Sequence, residues 1–255
     1  MTISIKNLIH VMLLAALTSG ALLSPAKTKA QNTIFLQEGK IEFEKRLNLY
    51  TLFENDDSWS ELRRKMMPQF KVTYFNLTFN HNRTVYKPGR DNSDNNKLWD
   101  LPAEENNIYS DLDNGRSISQ KKVFEQLFLV QDSTRNIRWK LTDETRKIAG
   151  FSCRRANAII MDSIYVVAFY TDEIISSGGP ESFTGLPGMI LGISLPHQHV
   201  SWFATKVQHV PVSEADLAPP QKGKKVDNVA LHKSLESLMK DWGKNGARFL
   251  QMMML

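Results

Sequence analysis

The sequence has very little cysteine: Cys153 is the only one in 255 residues. A single thiol cannot close an internal disulfide, so the fold must be stabilised by packing alone. The N-terminal residues also predict export, and an exposed thiol is at risk of oxidation outside the cytoplasm. We therefore expect Cys153 to be a buried, small apolar residue. The alternative is a thiol that is used for metal binding, redox chemistry or intermolecular pairing.

The N-terminal apolar run is too short for a membrane anchor. Residues 11–23 make a run of about 13 residues, whereas a spanning helix needs about 20. The basic Lys6 precedes the run, and Thr28 and Ala30 follow it with the spacing of small residues at a signal-peptide cleavage site. The pattern predicts a signal peptide over residues 1–30, cut between Ala30 and Gln31, and no transmembrane segment after cleavage. We expect the mature protein in the periplasm, at the outer membrane or secreted.

The excess of positive charge is small once this segment is removed. The whole chain has 32 basic and 27 acidic residues, a net charge of +5. The first thirty residues contain Lys6, Lys27 and Lys29 and no acid, so 29 basic residues remain against 27 acids, a net charge of +2. Such a balance gives no support to nucleic acid as a partner.

Sequence signatures of catalysis are absent. There is no Gly-x-Ser-x-Gly elbow and no zinc-protease spacing. The carboxylates Asp172 and Glu173 are sequence neighbours, and adjacent residues of an extended chain point to opposite sides. We therefore predict no catalytic residue and favour a binding protein over an enzyme.

The mature chain is predicted to be one domain, residues 31–255, that is mainly β with a few helices. Alternating apolar residues and turn signals favour a curved antiparallel sheet or half-barrel with helices packed on one face. One helix is expected from Ser58 to Pro68 and one from Asp227 to a stop at Gly243, followed by a tail that is frayed or docked. A surface loop is expected over residues 87–107. Strands are expected over residues 33–49, 70–85 (two strands), 107–112, 117–130, 137–141, 151–170 and 189–210 (broken at Pro196).

Three consecutive motifs carry a resemblance. They are residues 148–156 (IAGFSCRRA), 167–174 (VAFYTDEI) and 179–191 (GPESFTGLPGMIL). In this order and spacing they resemble the GLPGLI family of secreted bacterial proteins, with Met189 in place of the name-giving leucine. The resemblance implies a secreted β-rich protein. It implies no activity, because the family has no established biochemical role.

The third motif contains a glycine-rich loop that we treat as a candidate ligand loop. Glycine permits positive φ angles, and proline fixes its own φ, so the loop is expected to form a rigid corner before a strand. The alternative is an anion-binding nest, but neither the lysine spacing nor the helix of a phosphate loop follows. The residues of this candidate loop are Gly179, Pro180, Gly185, Leu186, Pro187 and Gly188.

The sequence His197-Gln-His199 is a weak metal-binding candidate. In a strand, residues i and i+2 share a face, so the two imidazoles could bind one transition metal. Cys153 and His209 would be the further ligands. The alternative is a surface histidine pair with no such role, and no other cofactor is expected.

These observations favour a non-enzymatic envelope protein. A half-barrel could enclose a hollow for a lipid, another hydrophobic ligand or a peptide, with the helix near Trp59 and the C-terminal helix covering it. The partner could also be an outer-membrane or other envelope protein. The second hypothesis is a metal-binding envelope protein that uses His197 and His199.

Overall fold

The structure is a computed structural model that describes residues 35–53, 58–95 and 101–255. The described residues belong to the second of two compact units, Ile34–Leu255. The first unit, Met1–Thr33, lies outside the described residues, and the predicted signal peptide lies there with it.

In the described part of the chain, twelve strands form one open sheet. Its strand order is β12-β6-β5-β4-β3-β2-β1-β11-β10-β9-β8-β7, and every neighbouring pair is antiparallel except β12 with β6. The mainly-β prediction is confirmed, although the sheet is mixed. The strands are β1 (Glu38–Asn48), β2 (Phe70–Asn80), β3 (Arg83–Pro88), β4 (Asn107–Asp111), β5 (Arg116–Val123), β6 (Gln126–Ser133), β7 (Lys140–Ile148), β8 (Phe151–Ile160), β9 (Ile164–Thr171), β10 (Met189–Leu195), β11 (Val200–Gln208) and β12 (Lys224–Val226).

The strands follow the apolar pattern of the sequence. In β1, alternate residues such as Ile41 and Phe43 are fully buried, and the residues between them are partly exposed. Strands β9 and β10 are buried on both faces, which agrees with their nearly continuous apolar sequences. The main core joins side chains of both strands to Phe183 and Leu186 of the segment between them, residues 172–188.

Several of the predicted strands differ in their bounds. The run 117–130 is a hairpin, in which β5 and β6 are joined at Phe124 and Glu125; Phe124 has a φ of 52°. Sequence reasoning missed this turn because it lacks glycine, asparagine and proline. The expected strand at 137–141 begins only at Lys140, and the run 151–170 is interrupted at residues 161–163.

Within residues 35–53, 58–95 and 101–255, three α-helices accompany the sheet: α1 (Ser58–Met66), α2 (Asn228–Met239) and α3 (Gly243–Met254). The side chain of Asp227 caps α2 by accepting a hydrogen bond from the Ala230 N–H at 2.7 Å. The prediction that helical structure ends at Gly243 is wrong. A further helix, α3, begins at this residue. Gly246 instead permits close packing, since a Cβ at this position would lie 2.5 Å from the Met239 carbonyl oxygen.

The expected cover of the sheet by α1 is not confirmed by its described side chains, and the side chain of Trp59 lies outside them. Leu62 and Met66, which define its apolar face in the sequence, are 46% and 77% exposed. Phe183 and Leu186 belong to the main core beside the sheet. The expected surface loop at 87–107 also differs in part, because Leu101 and its neighbours Ala103 and Glu104 are buried. None of the helices in the described residues is long and apolar enough to cross a membrane.

Candidate functional site

The segment 172–188, here named the motif loop, connects β9 to β10 and contains all six candidate loop residues. Its backbone is committed to internal hydrogen bonds: the Gly185 N–H donates to the Ser177 carbonyl at 3.0 Å and the Gly188 N–H to the Leu186 carbonyl at 2.8 Å. Pro187 and Gly185 are exposed, whereas Gly179, Pro180, Leu186 and Gly188 are buried. An anion nest would need these N–H groups free, so the geometry favours the rigid corner.

The motif loop places a carboxylate, Glu181, in the protein interior. Its side chain is 1% exposed, and its backbone has a φ of 53°. Oε2 accepts a hydrogen bond from Asn106 Nδ2 at 2.9 Å, and Oε1 lies 3.5 Å from Lys45 Nζ. A buried charge is stable only when it is paired, so Lys45 and Asn106 make the position of Glu181 tolerable.

Aromatic rings surround this ion pair. Lys45 Nζ lies 5.2 Å from the ring centre of Trp202 and 5.7 Å from that of Phe75. Burial, and then the negative charge of Glu181, raise the pKa of Tyr86 well above its ordinary value. The Trp202 ring lies near the Tyr86 hydroxyl. Within the described residues, however, neither the indole N–H nor the hydroxyl has a hydrogen-bond partner of good geometry.

A cleft of about 660 Å³ lies on the side of the motif loop where Ser182 projects. Strands β5 and β6, the turn between β8 and β9, and helices α2 and α3 enclose it. The lining is mixed, with apolar side chains beside charged and hydroxyl groups. Its residues include Ser117, Ser119, Lys121, Val130, Asp132, Arg135, Met161, Asp162, Ser182, His232, Ala247, Leu250, Met254 and Leu255.

Three side chains from separate segments hold the tail of α3 at this cleft. Lys121 Nζ donates to the Met253 carbonyl at 3.1 Å, and the Arg135 guanidinium donates to the Met254 carbonyl at 2.7 Å. The hydroxyl of Ser182 donates to the main-chain oxygen of Leu255, the last residue of the sequence, at 2.7 Å. All three tail side chains are buried. The cleft therefore holds the main chain of the protein's own last three residues and buries their side chains.

Lys121 is an unusual residue for its position in β5. It is 4% exposed, and it occupies an inward position of the alternation between Ser119 and Val123. Burial lowers the pKa of Lys121 to about 8, and burial also lowers the pKa of Arg135. An inward lysine in a strand is a sequence signal from which this position could have been found. Arg135, Ser182 and Glu181 give no such signal, because their surroundings are set by distant segments.

The structure does not support the geometry assumed for the histidine pair. Residues Pro196–Gln198 form a 3-10 turn between β10 and β11, and His199 adopts a left-handed conformation with φ of 53°. The strand that would align the two imidazoles is therefore absent at this point, because Pro196 ends β10. His197 and His199 are exposed, as is the proposed further ligand His209. In the part of the chain that the structure describes, no three residues of metal-ligating type come together.

Cys153, the other proposed ligand, lies in β8 with no exposed surface. Burial raises the pKa of its thiol to about 12. Since the thiolate is the reactive form, we expect iodoacetamide at about pH 8 to leave the folded protein unmodified. After unfolding in guanidinium chloride, one adduct per chain should be seen by intact-mass spectrometry. Equal rates of alkylation of Cys153 in the folded and unfolded protein would contradict the burial of this thiol.

The comparisons with known proteins agree with a β-rich fold and give no activity. A family described as "Protein of unknown function (Porph_ging)" matches residues 159–192. That segment contains the Gly-Leu-Pro-Gly sequence on which the GLPGLI resemblance rests, but the match does not carry the GLPGLI name. No curated protein matches the chain.

Two solved structures of PNGF-II, in the P21 and C2 space groups, are similar to this chain. Each gives a TM-score of 0.51, with 16% and 15% sequence identity and coverage of 78% and 77% of this chain. The similarity spans only 32% of each PNGF-II chain. At such identity the likeness concerns the fold alone.

Proposed function

We propose that the protein is an exported, non-enzymatic binding protein of the cell envelope, and that its cleft beside the motif loop takes a peptide segment. The observation that carries the proposal is the set of donors around the tail of α3. Lys121, Arg135 and Ser182 bind main-chain carbonyls without regard to side-chain identity, while the neighbouring surface buries apolar side chains. Recognition of this kind is typical of peptide-binding sites.

The size and chemistry of the cleft support the same proposal. About 660 Å³ of space remains beside the tail, within the range of known small-ligand sites. Its hydroxyl and charged groups suit a peptide better than a lipid chain, which would leave them without partners. Lipid is therefore the less favoured of the ligands that the sequence suggested.

The proposal also includes a sheet that curls into a half-barrel at one end. Strand β7 contacts β11 although β8, β9 and β10 lie between them in the sheet order. The guanidinium of Arg146 on β7 lies 4.8 Å from the ring centre of Phe203 on β11. Both contacts support a curled sheet. In this arrangement the motif loop fills the concave side and the cleft opens at its margin.

The proposal is tested by titrating the purified protein into a fluorescently labelled peptide with the sequence of residues 249–255, FLQMMML, and measuring fluorescence anisotropy. To reach Lys121, Arg135 and Ser182, the peptide must displace the chain's own tail from them. We expect saturable binding to one site. The variant Ala247→Trp places a large side chain at the cleft and should weaken binding about tenfold or more. The matched control is Ala218→Trp, at an exposed alanine outside the cleft lining, which should bind as the original protein does.

Two results would argue against a peptide ligand. The first is a peptide that binds both variants equally, since the bound peptide would then lie outside the cleft. The second is saturable binding of a labelled fatty acid, blocked by Ala247→Trp, in place of peptide binding. That result would assign the cleft to a lipid.

A further inference from the structure

A second cavity, of about 360 Å³ and here named the aromatic pocket, has three aromatic rings in its wall. The turn between β5 and β6, the segment just before β4 and the first half of α3 contribute to it. It shares no described lining residue with the peptide cleft, so it is a separate site. Its described lining residues are Leu101, Pro102, Glu104, Glu105, Lys122, Phe124, Trp242 and Phe249.

The three rings of the aromatic pocket are inclined to one another. The ring centres of Phe124 and Trp242 lie 5.9 Å apart, with their planes at 49°. Those of Trp242 and Phe249 also lie 5.9 Å apart, with their planes at 80°. Rings in this arrangement form a corner and not a parallel slot. A flat group stacks on one such face only, whereas a compact, rounded group contacts more than one.

Phe124 occupies its place in the pocket at a cost to the fold. Its backbone has a φ of 52°, a conformation that bulky residues rarely adopt. Its side chain is 44% exposed, and that of Trp242 is 47% exposed, so both rings leave much of their apolar surface unburied. Asparagine or glycine would fit the turn with less strain. A strained, half-exposed aromatic residue beside a cavity is typical of a binding site.

The pocket also contains carboxylates. Glu104 is buried, and its Oε2 accepts hydrogen bonds from Lys71 Nζ at 2.7 Å and from the Leu101 N–H at 2.9 Å. Glu105 is exposed and has no ion-pair partner within the described residues. Lys122, the cation among the described lining residues, is also exposed. Glu105 is therefore the carboxylate available to a ligand, and Lys122 opposes a ligand of positive charge.

We propose that the aromatic pocket binds a quaternary ammonium group, a function beyond that of the peptide cleft. The faces of aromatic rings attract cations, and Glu105 complements the charge of the ligand. A primary ammonium needs acceptors for three N–H groups, which rings do not supply, whereas a quaternary ammonium has no N–H group to satisfy. Its rounded shape fits the corner that the rings form. The volume of about 360 Å³ is within the range of small-ligand sites.

The test is a proton NMR titration of tetramethylammonium chloride with the purified protein. The uncharged comparison is tert-butanol, which presents a similar rounded surface of methyl groups. We expect saturable binding of tetramethylammonium that is about fivefold tighter than that of tert-butanol. Its methyl resonance should move upfield, because the methyl groups lie over ring faces. Equal affinity for the two compounds overturns the proposal.

The variant Phe124→Leu removes a ring and keeps an apolar contact. It should weaken the binding of tetramethylammonium about fivefold and change that of tert-butanol little. The matched control is Phe70→Leu, which should bind as the original protein does. Phe70 is also an exposed phenylalanine, but it lies outside the described lining, and the guanidinium of Arg46 covers its ring at 4.7 Å. Unchanged binding in Phe124→Leu would show that the ligand lies elsewhere.

Two charge variants should act in opposite directions. Glu105→Gln should weaken the binding of tetramethylammonium about twofold to threefold, and Lys122→Met should strengthen it by a similar factor. A loss of folded protein would instead weaken binding in both variants. Circular dichroism checks that each variant is folded. If Phe124→Leu does not fold, Trp242→Leu tests the same corner with the same expected loss.

Discussion

Replacing Gly188 by alanine should lower the free energy of unfolding by about 3 kcal/mol or more. A Cβ at this position would lie 2.1 Å from the Thr171 carbonyl oxygen, a separation that only a backbone shift can relieve. The residue also has a φ of 147°, which side chains rarely adopt. Because β10 begins at the next residue, such a shift would disturb the pairing of β9 with β10. Urea unfolding followed by tryptophan fluorescence measures the effect.

The same motif offers a matched control in Gly185→Ala. Gly185 has a φ of 90°, but its Cβ would meet only Trp139 Nε1, at 3.8 Å. The cost is then confined to the backbone conformation, about 1 kcal/mol. If the two variants lost equal stability, the close approach at Gly188 would not be the reason for its glycine. If Gly188→Ala does not fold, its yield of soluble protein relative to Gly185→Ala gives the same comparison.

The second large effect is expected for Glu181→Gln, which should destabilise the fold by about 3 kcal/mol. Glutamine keeps the shape and can still accept from Asn106, so the variant removes the charge and little else. Lys45 is then left in the interior, with a side chain 12% exposed and no paired carboxylate at Glu181. The midpoint of urea unfolding should fall accordingly, while the slope with urea stays unchanged.

An exposed ion pair serves as the control. Glu214 pairs with Arg83 at 2.6 Å, but both side chains face solvent, and Glu214→Gln should leave the midpoint nearly unchanged. The double variant Glu181→Gln/Lys45→Met should recover part of the lost stability, because the unpaired charge is gone. If Glu181→Gln proved as harmless as Glu214→Gln, the buried pair would contribute nothing to the fold.

The local sequence was sufficient to predict much of the sheet. The hairpin β2–β3 and the pair β10–β11, with the break at Pro196, were predicted because their apolar alternation and turn residues agree. The hairpin at Phe124 was not predicted, because its turn lacks the usual turn residues. The exposure of Leu62 and Met66 in α1 was also missed. Its apolar residues predicted a covering helix, but whether a helix finds a surface to cover depends on what else fills that surface.

The candidate site was far less predictable. The motif loop was found, yet its Glu181 was not recognised as buried, because the partners Lys45 and Asn106 are 136 and 75 positions away along the chain. The cleft depends on the return of the tail at Met253 to β5, a contact between residues 132 positions apart. Sequence patterns within a short window of residues carry no information on contacts between residues so far apart in the chain.

An open sheet has two free margins, and each is a hazard for self-association. At one margin, β7 leaves backbone N–H and carbonyl groups available to a strand of another molecule. Its sequence opposes this: Lys140, Glu144 and Arg146 are exposed charged residues, and the register shifts between Leu141 and Thr145. At the other margin, β12 offers only three residues. Both margins therefore carry features that oppose edge-to-edge pairing with a second molecule.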